Sequence, residues 1–183
     1  MTTTVDKQIQ ENLQNVEQQR QAFEQLVNSY QKVLYFHIRR IVIDHEDASD
    51  VLQNTFLKAW KNIAKFRGDA NVKTWLYRIA TNESLSFLKR KKGHFEDLTD
   101  LQDDLRHSLS SGKYIDGDTI QHLLHQAILT LPEKQRMVFN MRYFDEMKYE
   151  EIGEILSLSV GGLKANYHHA VKKVEQFIKN QQD

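Results

Sequence analysis

Apolar side chains recur at intervals of three and four residues along most of the chain, and this spacing limits the possible folds more than any other feature. The pattern is typical of amphipathic helices, whereas the alternation of apolar and polar residues that marks a half-buried strand is not sustained anywhere. The 183 residues include one Pro and seven Gly, so few positions interrupt a helix. The sequence therefore predicts an all-α protein.

Interruptions of this pattern divide the chain into four segments. Residues 20–92 and 119–183 carry helical periodicity and predict two small helical domains. Between them, residues 93–118 combine Gly and Ser with seven acidic side chains, which predicts a flexible acidic linker. Residues 1–19 are Gln-rich and form an N-terminal extension, which we expect either to lengthen the first long helix or to fray.

The end of the second domain predicts a helix-turn-helix. A short helix beginning at Tyr149 is followed by a Ser-Leu-Ser break and by a longer helix from Val160 to about Lys179. The longer helix is rich in Lys and His, which suits a helix that enters the major groove of DNA. Gly161 and Gly162 in its first turn would let a phosphate approach the backbone N–H groups.

The formal net charge of zero hides a strong segregation of charge. Residues 56–92 contain 10 basic and 2 acidic side chains, a net charge of +8, and residues 93–118 contain 2 basic and 7 acidic ones, a net charge of −5. A basic block of this kind occurs on solvated helical faces and on surfaces that bind polyanions. Neutrality of the whole chain is therefore no argument against nucleic-acid binding.

Aromatic residues lie among the basic residues of the first domain, at Trp60, Phe66, Trp75 and Tyr77, and we expect them to be exposed. Rings interleaved with Lys and Arg can stack on unpaired bases while the charges follow the backbone, although the same rings could pack in a core. Trp75 and Tyr77 are two residues apart on a helix and cannot face the same way, so at least one belongs to the core.

Several classes of protein and site are excluded by residues that the sequence lacks. Without Cys there is no disulfide framework, thiolate zinc site or cysteine nucleophile. The eight His lack the spacing of a metal site, and no Gly-rich phosphate loop or well-placed carboxylate pair occurs, so we predict no enzyme activity, no metal and no cofactor. No apolar run reaches the roughly 20 residues that cross a bilayer, and no export pattern begins the chain, so we expect a soluble, cytoplasmic protein without membrane insertion.

Four motifs occur in a specific order. Residues 47–60 read DASDVLQNTFLKAW, residues 66–82 read FRGDANVKTWLYRIATN, and after the acidic segment come LPEKQR at 131–136 and YEEIG at 149–153. In this order they resemble the extracytoplasmic-function sigma factors, the compact two-domain branch of the sigma-70 family. The resemblance extends over residues 23–92 and 124–178.

The resemblance implies a transcription initiation factor that binds core RNA polymerase and directs it to promoters, recognising −10 and −35 elements and helping to melt the −10 region. Residues 20–92 would be the region 2 domain, and the helix that starts near Asp47 would dock on the polymerase clamp. The positions that match the family's polymerase contacts are Asp47, Asp50, Gln53, Phe56, Leu57 and Trp60. Asn54 stands where the family usually has an acidic residue.

The resemblance likewise implies that residues 68–74 and the following helix capture the melted non-template strand of the −10 element. The residues that would form the base pocket are Asp69, Ala70, Asn71, Val72 and Lys73. Arg78, Asn82 and the basic residues of the same helix would follow the DNA backbone.

Residues 119–183 would be the region 4 domain, whose recognition helix reads the −35 element. Its usual base-facing positions are occupied by Lys164, Ala165, His168 and His169, while Lys172 and Lys173 would neutralise phosphates. His169 and Val171 replace residues that are commonly Arg, which implies a weaker or more pH-sensitive readout than usual.

The expected partners are therefore promoter DNA and core RNA polymerase, through its clamp and flap regions, with an anti-sigma factor as a further candidate and a monomeric free protein. Two alternatives come from other classes. A stand-alone helix-turn-helix regulator would use its first domain to sense a ligand or to dimerise, and a metal-dependent helical hydrolase would need a ligand set that the sequence does not supply. An ordinary repressor has no use for Asp50, Gln53 and Trp60 on one helix, which favours the sigma factor.

Overall fold

The computed structural model describes residues 4–66, 71–92 and 119–181, and the regular elements in these ranges are all helices. The chain divides into two compact units, Met1–Leu101 and Gln102–Asp183. The predicted all-α, two-domain organisation is therefore confirmed. The predicted linker, residues 93–118, lies outside the described residues.

The first unit is built around one long helix. Its described elements are α1 (Thr4–Gln14), α2 (Gln19–Val42), α3 (His45–Asn62), a 3-10 helix (Ile63–Lys65) and α4 (Val72–Lys92). Helices α1, α3 and α4 all pack against α2. The inward positions of α2 recur every four residues, and the side chains in this row, all buried, are Ala22, Leu26, Tyr30, Leu34 and Ile38. A stripe of this kind is the face that an amphipathic helix turns to a core.

The N-terminal extension, from Thr4 onward, neither lengthens α2 nor frays, so both expectations for it are wrong. It contains a separate helix, α1, whose Ile9 and Leu13 side chains are each 1% exposed. The Asp6 carboxylate accepts a hydrogen bond from the buried Tyr30 hydroxyl of α2. Burial raises the pKa of this hydroxyl, and the bond to Asp6 raises it further, so the group stays protonated. Helix α1 is thus part of the first unit's core.

A turn at Asn15 separates α1 from α2. The Asn15 side-chain oxygen accepts a hydrogen bond from the Glu17 backbone N–H (3.1 Å), and the Asn15 carbonyl accepts one from the Gln18 N–H (3.0 Å). Asn favours such turns because its short side chain can bond the backbone two residues further on. This local competition with helix geometry ends α1 within a sequence that is otherwise favourable to helices.

A tight turn joins α2 to α3. Ile43 has a φ of 71°, which is unfavourable for a β-branched residue, and the Asp44 N–H donates to the Val42 carbonyl across it (2.9 Å). Burial of the Ile43 side chain, which is 3% exposed, offsets this strain. Asp44 then caps α3 by accepting hydrogen bonds from the N–H groups of Glu46 (2.8 Å) and Asp47 (3.1 Å). The helix that is predicted to start near Asp47 therefore begins at His45.

Removing the Asp44 cap is expected to destabilise the first unit. Partial burial alone would raise the pKa of Asp44, but the capping N–H groups, with the charges of Arg39 and Lys91, hold it below its ordinary value. A carboxylate of this kind stabilises the fold above its unfolded pKa, about 4, and the stabilisation is lost as pH falls through the lower folded pKa. Asp44→Ala should lower the free energy of unfolding at pH 7 by about 1 kcal/mol. Urea denaturation followed by Trp fluorescence measures this, because both Trp lie in the first unit.

Asp44→Asn is the matched control, because Asn also caps helices but carries no charge. It should keep most of the stability at pH 7, and its difference from the wild type should shrink as the pH falls below about 4. Equal losses in Asp44→Ala and Asp44→Asn would argue against the cap. A difference between wild type and Asp44→Asn that is constant from neutral to acid pH would argue against the charge.

The second unit contains α5 (Thr119–Leu129), α6 (Glu133–Tyr143), α7 (Tyr149–Leu156) and α8 (Val160–Lys179) among its described residues. Side chains from α5, α6 and α8 and from the α5–α6 connection form its main core, which consists of Ala127, Ile128, Leu131, Phe139, Ala170 and Val174. The bounds of α8 are those that the sequence predicts. Phe144 and Tyr167 pack against this core from its edge.

Helices α7 and α8 form the predicted helix-turn-helix. Ser157 ends α7 in the left-handed region, with a φ of 56°, and its N–H donates to the Gly153 carbonyl. The turn passes so close to α7 that a Cβ on Gly153 would lie 2.9 Å from the Leu158 carbonyl oxygen. The Ser159 hydroxyl accepts a hydrogen bond from the Gly162 N–H (3.2 Å) and so caps α8. A Gly at position 153 and a cap at position 159 therefore fix the angle between the two helices.

Candidate nucleic-acid and protein interfaces

The solvent-facing side of α3 combines an apolar centre with a polar rim. Leu57 and Trp60 are 57% and 42% exposed. Asp50 and Gln53, both exposed, lie on the same side because the four positions are spaced by three and four residues. We call Asp50, Gln53, Leu57 and Trp60 the docking face. Large exposed apolar side chains with polar neighbours are typical of a surface that binds another protein.

Aromatic packing from below holds the docking face in place. The Trp60 ring lies 5.0 Å from the Phe23 ring of α2, centroid to centroid, and Phe23 in turn contacts Phe56 at 6.4 Å. Phe56, a predicted polymerase contact, is half-buried and contacts the same Phe23 ring as Trp60. A side chain that is already fixed loses less conformational entropy when it binds a partner.

Asp47, the remaining predicted polymerase contact, is engaged within the unit. Its carboxylate accepts a hydrogen bond from the Lys91 Nζ of α4 at 3.1 Å, and the two side chains are 23% and 26% exposed. Lys58 of α3 forms a second ion pair with Glu83 of α4. Part of the basic block is thus paired with carboxylates inside the first unit, which the net charge of the segment alone does not indicate.

The start of α4 contains the described part of the predicted base pocket, whereas Asp69 and Ala70 lie outside the described residues. The Asn71 side-chain oxygen accepts a hydrogen bond from the Lys73 N–H (2.9 Å), so Asn71 fixes the first turn of α4. Val72 is 0% exposed and packs in the core. Its side chain anchors the helix and does not face solvent.

Two of the four aromatic residues that we expected to be exposed are buried. Phe66 and Tyr77 are 7% and 2% exposed, so this expectation was wrong for both. Trp75 is half-buried and packs on Phe66 with ring centroids 4.8 Å apart. The prediction that Trp75 or Tyr77 belongs to the core is confirmed. Lys73 Nζ lies 5.7 Å from the centre of the Tyr77 ring, within the range of a cation–π contact.

Polar and basic side chains line the outer side of α4. Arg78, Asn82, Lys89 and Arg90 are all exposed and lie on the helix that follows the predicted base pocket. We call these four residues the basic face. Positions 78, 82 and 89 are separated by whole numbers of helical turns, so they form one line along the helix. Such a line can follow a phosphate backbone.

The solvent-facing side of α8 carries every predicted −35 contact. The exposed residues are Lys164, Ala165, His168, His169, Lys172 and Lys173. They form two adjacent rows with a four-residue spacing, opposite the buried Leu163, Ala170 and Val174. Of the two glycines in the first turn, Gly162 donates its N–H to the Ser159 hydroxyl. The expectation that this N–H is open to a phosphate is therefore wrong. A Cβ on Gly161 would meet nothing within 4 Å.

Tyr149, which the sequence indicates only as the start of a helix, contacts one of the predicted −35 residues. Its ring lies 5.3 Å from the Arg142 guanidinium and 5.9 Å from Lys164 Nζ. It also contacts the Tyr167 ring, with centroids 6.4 Å apart. Burial is the main cause that raises the pKa of the Tyr167 hydroxyl, and the nearby Tyr149 raises it further.

Comparison with known protein families accounts for both units. The Sigma-70 region 2 model matches residues 26–94, and the Sigma-70, region 4 model matches residues 121–174. The RNA polymerase sigma-H factor of Pseudomonas aeruginosa is 30% identical over 187 aligned residues, covering 97% of this chain and 96% of that protein. The chain belongs to the extracytoplasmic-function branch of the sigma-70 family. It is a sigma factor, a non-enzymatic protein that directs RNA polymerase to promoters, as predicted.

Further relatives agree with this assignment. The sigma factor SigW of Bacillus subtilis is 29% identical over 87% of this chain and 90% of its own. The solved structure of the sigma factor RpoE of Bartonella quintana, in complex with the anti-sigma factor NepR, matches with a TM-score of 0.67 and 23% identity, covering 86% of this chain and 96% of that one. In this sigma factor, region 2 comprises α2–α4 and region 4 comprises α5–α8. The match to region 2 also sets aside the stand-alone helix-turn-helix regulator.

Two further features concern the described residues alone. Across residues 4–66, 71–92 and 119–181, no group of three His, Asp or Glu side chains is arranged to hold a metal ion. In the same ranges no helix is both long enough and apolar enough to cross a membrane.

Proposed function

We propose that this sigma factor directs polymerase to promoters through three surfaces, one that binds polymerase and two that bind promoter DNA. The docking face of α3, with Asp47 and Phe56, binds the clamp of core RNA polymerase, and the second unit binds the flap. The start of α4 and the basic face hold the melted non-template strand of the −10 element. The outer side of α8 reads the −35 element. The protein acts in the cytoplasm and is monomeric when free.

The observation that carries this proposal is the docking face. Leu57 and Trp60 expose apolar area on a helix that is otherwise well packed, and Trp60 is held rigid by Phe23. Interface hot spots are commonly built from aromatic anchors, and polar side chains around them add electrostatic complementarity. A protein that only bound DNA would have no need of them.

The −10 surface is supported by the arrangement of α4. Asn71 and Val72 hold the helix start, and Trp75 is half-buried on the helix that also carries the basic face. Single-stranded DNA is commonly held by stacking on aromatic rings while basic side chains follow the phosphates. Asp69 and Ala70 complete the proposed pocket by the family resemblance.

The −35 surface is supported by the rows on α8. Lys164, His168 and His169 carry groups that can hydrogen-bond base edges, and Ala165 leaves room for a thymine methyl group. Lys172 and Lys173, one turn further on, neutralise phosphates. Neither DNA surface is large, so tight promoter binding is expected only when polymerase presents both units together.

An anti-sigma factor is a second proposed partner. The related RpoE was solved with the anti-sigma factor NepR, which motivates the proposal. Size-exclusion chromatography with bacterial core polymerase tests the principal function. Wild-type protein should elute with the polymerase and give it affinity for promoter DNA, whereas separate elution of the two would count against the proposal.

A further inference from the structure

Lys91 connects the helix of the docking face to the helix of the basic face. Its ammonium group is paired with the Asp47 carboxylate at the start of α3. The Lys91 Nζ is 3.1 Å from Asp47 Oδ2, and its charge also helps to lower the pKa of Asp44. Asp47 is proposed to meet polymerase, and Lys91 belongs to the basic end of α4. One ion pair therefore joins a proposed polymerase contact to a residue beside the proposed DNA surface.

The pair with Asp47 can hold Lys91 in the free protein, and Asp47 can also exchange Lys91 for another cation. The side chains of Asp47 and Lys91 are about one quarter exposed, so solvent weakens their attraction without removing it. Partly exposed ion pairs contribute little to stability, and a carboxylate can change partner when a second cation approaches in a less hydrated interface. Binding of Asp47 by a cation of the polymerase would therefore compete directly with Lys91.

We infer that Lys91 is a coupling residue, which binds Asp47 in the free protein and a DNA phosphate in the polymerase-bound protein. A polymerase cation that pairs with Asp47 releases the Lys91 ammonium group, which then adds one phosphate contact. By linkage, DNA that captures Lys91 makes Asp47 more available to polymerase by the same factor. The inference rests on the proposed function, because it assigns these residues the partners proposed above.

The first test measures DNA binding by the free full-length protein. The probe is a short duplex with an unpaired segment, and fluorescence anisotropy gives its affinity at several KCl concentrations. Asp47→Asn should raise the affinity about two- to fivefold more than Asp50→Asn. It should also steepen the salt dependence by about one ion. The double variant Asp47→Asn/Lys91→Gln should lose both gains.

Asp50→Asn is the matched control because it removes the same charge one turn away on α3. Among the described residues, the ion pairs from α3 to α4 involve Asp47 and Lys58 and not Asp50. A rise in DNA affinity that comes only from the loss of one negative charge should therefore appear in both variants. Equal effects of Asp47→Asn and Asp50→Asn on affinity and on salt dependence would overturn the inference.

The second test compares free and polymerase-bound protein. Lys91→Gln should lower the salt dependence of DNA binding by about one ion in the complex with core polymerase and by less than half of that in the free protein. Equal changes in the two states would also overturn the coupling. The two failures are distinguishable: wild-type protein that does not bind polymerase refutes the proposed function, whereas wild-type protein that binds, with equal variant effects, refutes the coupling alone.

Discussion

Replacing Trp60 with Ala is expected to weaken the binding of core RNA polymerase about thirtyfold, the effect of losing roughly 2 kcal/mol at an interface hot spot. Trp60 is 42% exposed but rests on Phe23, so its ring presents a fixed apolar surface on the docking face. The substitution removes that surface. Titration of labelled protein with core polymerase measures the change in affinity.

The matched control is Val33→Ala, which shortens an apolar side chain of similar exposure, 44%, on α2 away from the docking face. It should leave polymerase affinity unchanged within about twofold, the usual scale for a surface substitution outside an interface. Circular dichroism establishes that both variants remain helical. Equal weakening by Trp60→Ala and Val33→Ala, or no weakening by Trp60→Ala, would place the polymerase contact elsewhere.

Replacing Gly153 with Ala is expected to destabilise the second unit by about 1–3 kcal/mol, the usual cost of forcing an extra methyl group into a packed site. The new Cβ would lie 2.9 Å from the Leu158 carbonyl oxygen, which is backbone and cannot move away as a side chain can. The melting temperature of this unit should fall by roughly 4–8 °C for each kcal/mol. Because the turn sets the angle of α8, binding to −35 DNA should weaken as well.

Gly161→Ala in the same helix-turn-helix supplies the comparison. Its Cβ would meet nothing within 4 Å, and Ala is favoured over Gly in a helix by up to about 1 kcal/mol. Differential scanning calorimetry should therefore show opposite shifts of the second unit's transition in the two variants. A destabilised Gly161→Ala together with an unaffected Gly153→Ala would contradict the described turn.

Much of the fold follows from local sequence signals. The bounds of α8, a start of α3 near Asp47 and the break between α7 and α8 are all predicted, because caps and apolar spacing act over a few residues. The separate α1 was missed because one Asn-centred turn interrupts a segment with uniformly high helix propensity. Its docking through Ile9 and Leu13 depends on α2, which the local pattern cannot reveal.

The interfaces were predicted less completely than the fold. Motif positions located the residues of the docking face and the rows of α8, but charge counting could not show that Lys91 binds Asp47, since the two are 44 positions apart in sequence. Likewise, Phe66 and Tyr77 lie among basic residues in sequence and yet point into the core. Burial and ion pairing are set by tertiary packing, to which residue order alone gives no direct access.

The most direct test of the central claim, that this chain gives core RNA polymerase its choice of promoter, is transcription in a reconstituted system. Core polymerase with and without the protein is supplied with a template library randomised upstream of the start site, and the transcripts are sequenced. We predict that the protein restricts initiation to templates that share two sequence blocks, at −35 and −10, and that Trp60→Ala raises the protein concentration needed for this restriction about thirtyfold. If core polymerase transcribes the same set of templates with and without the protein, the account is contradicted.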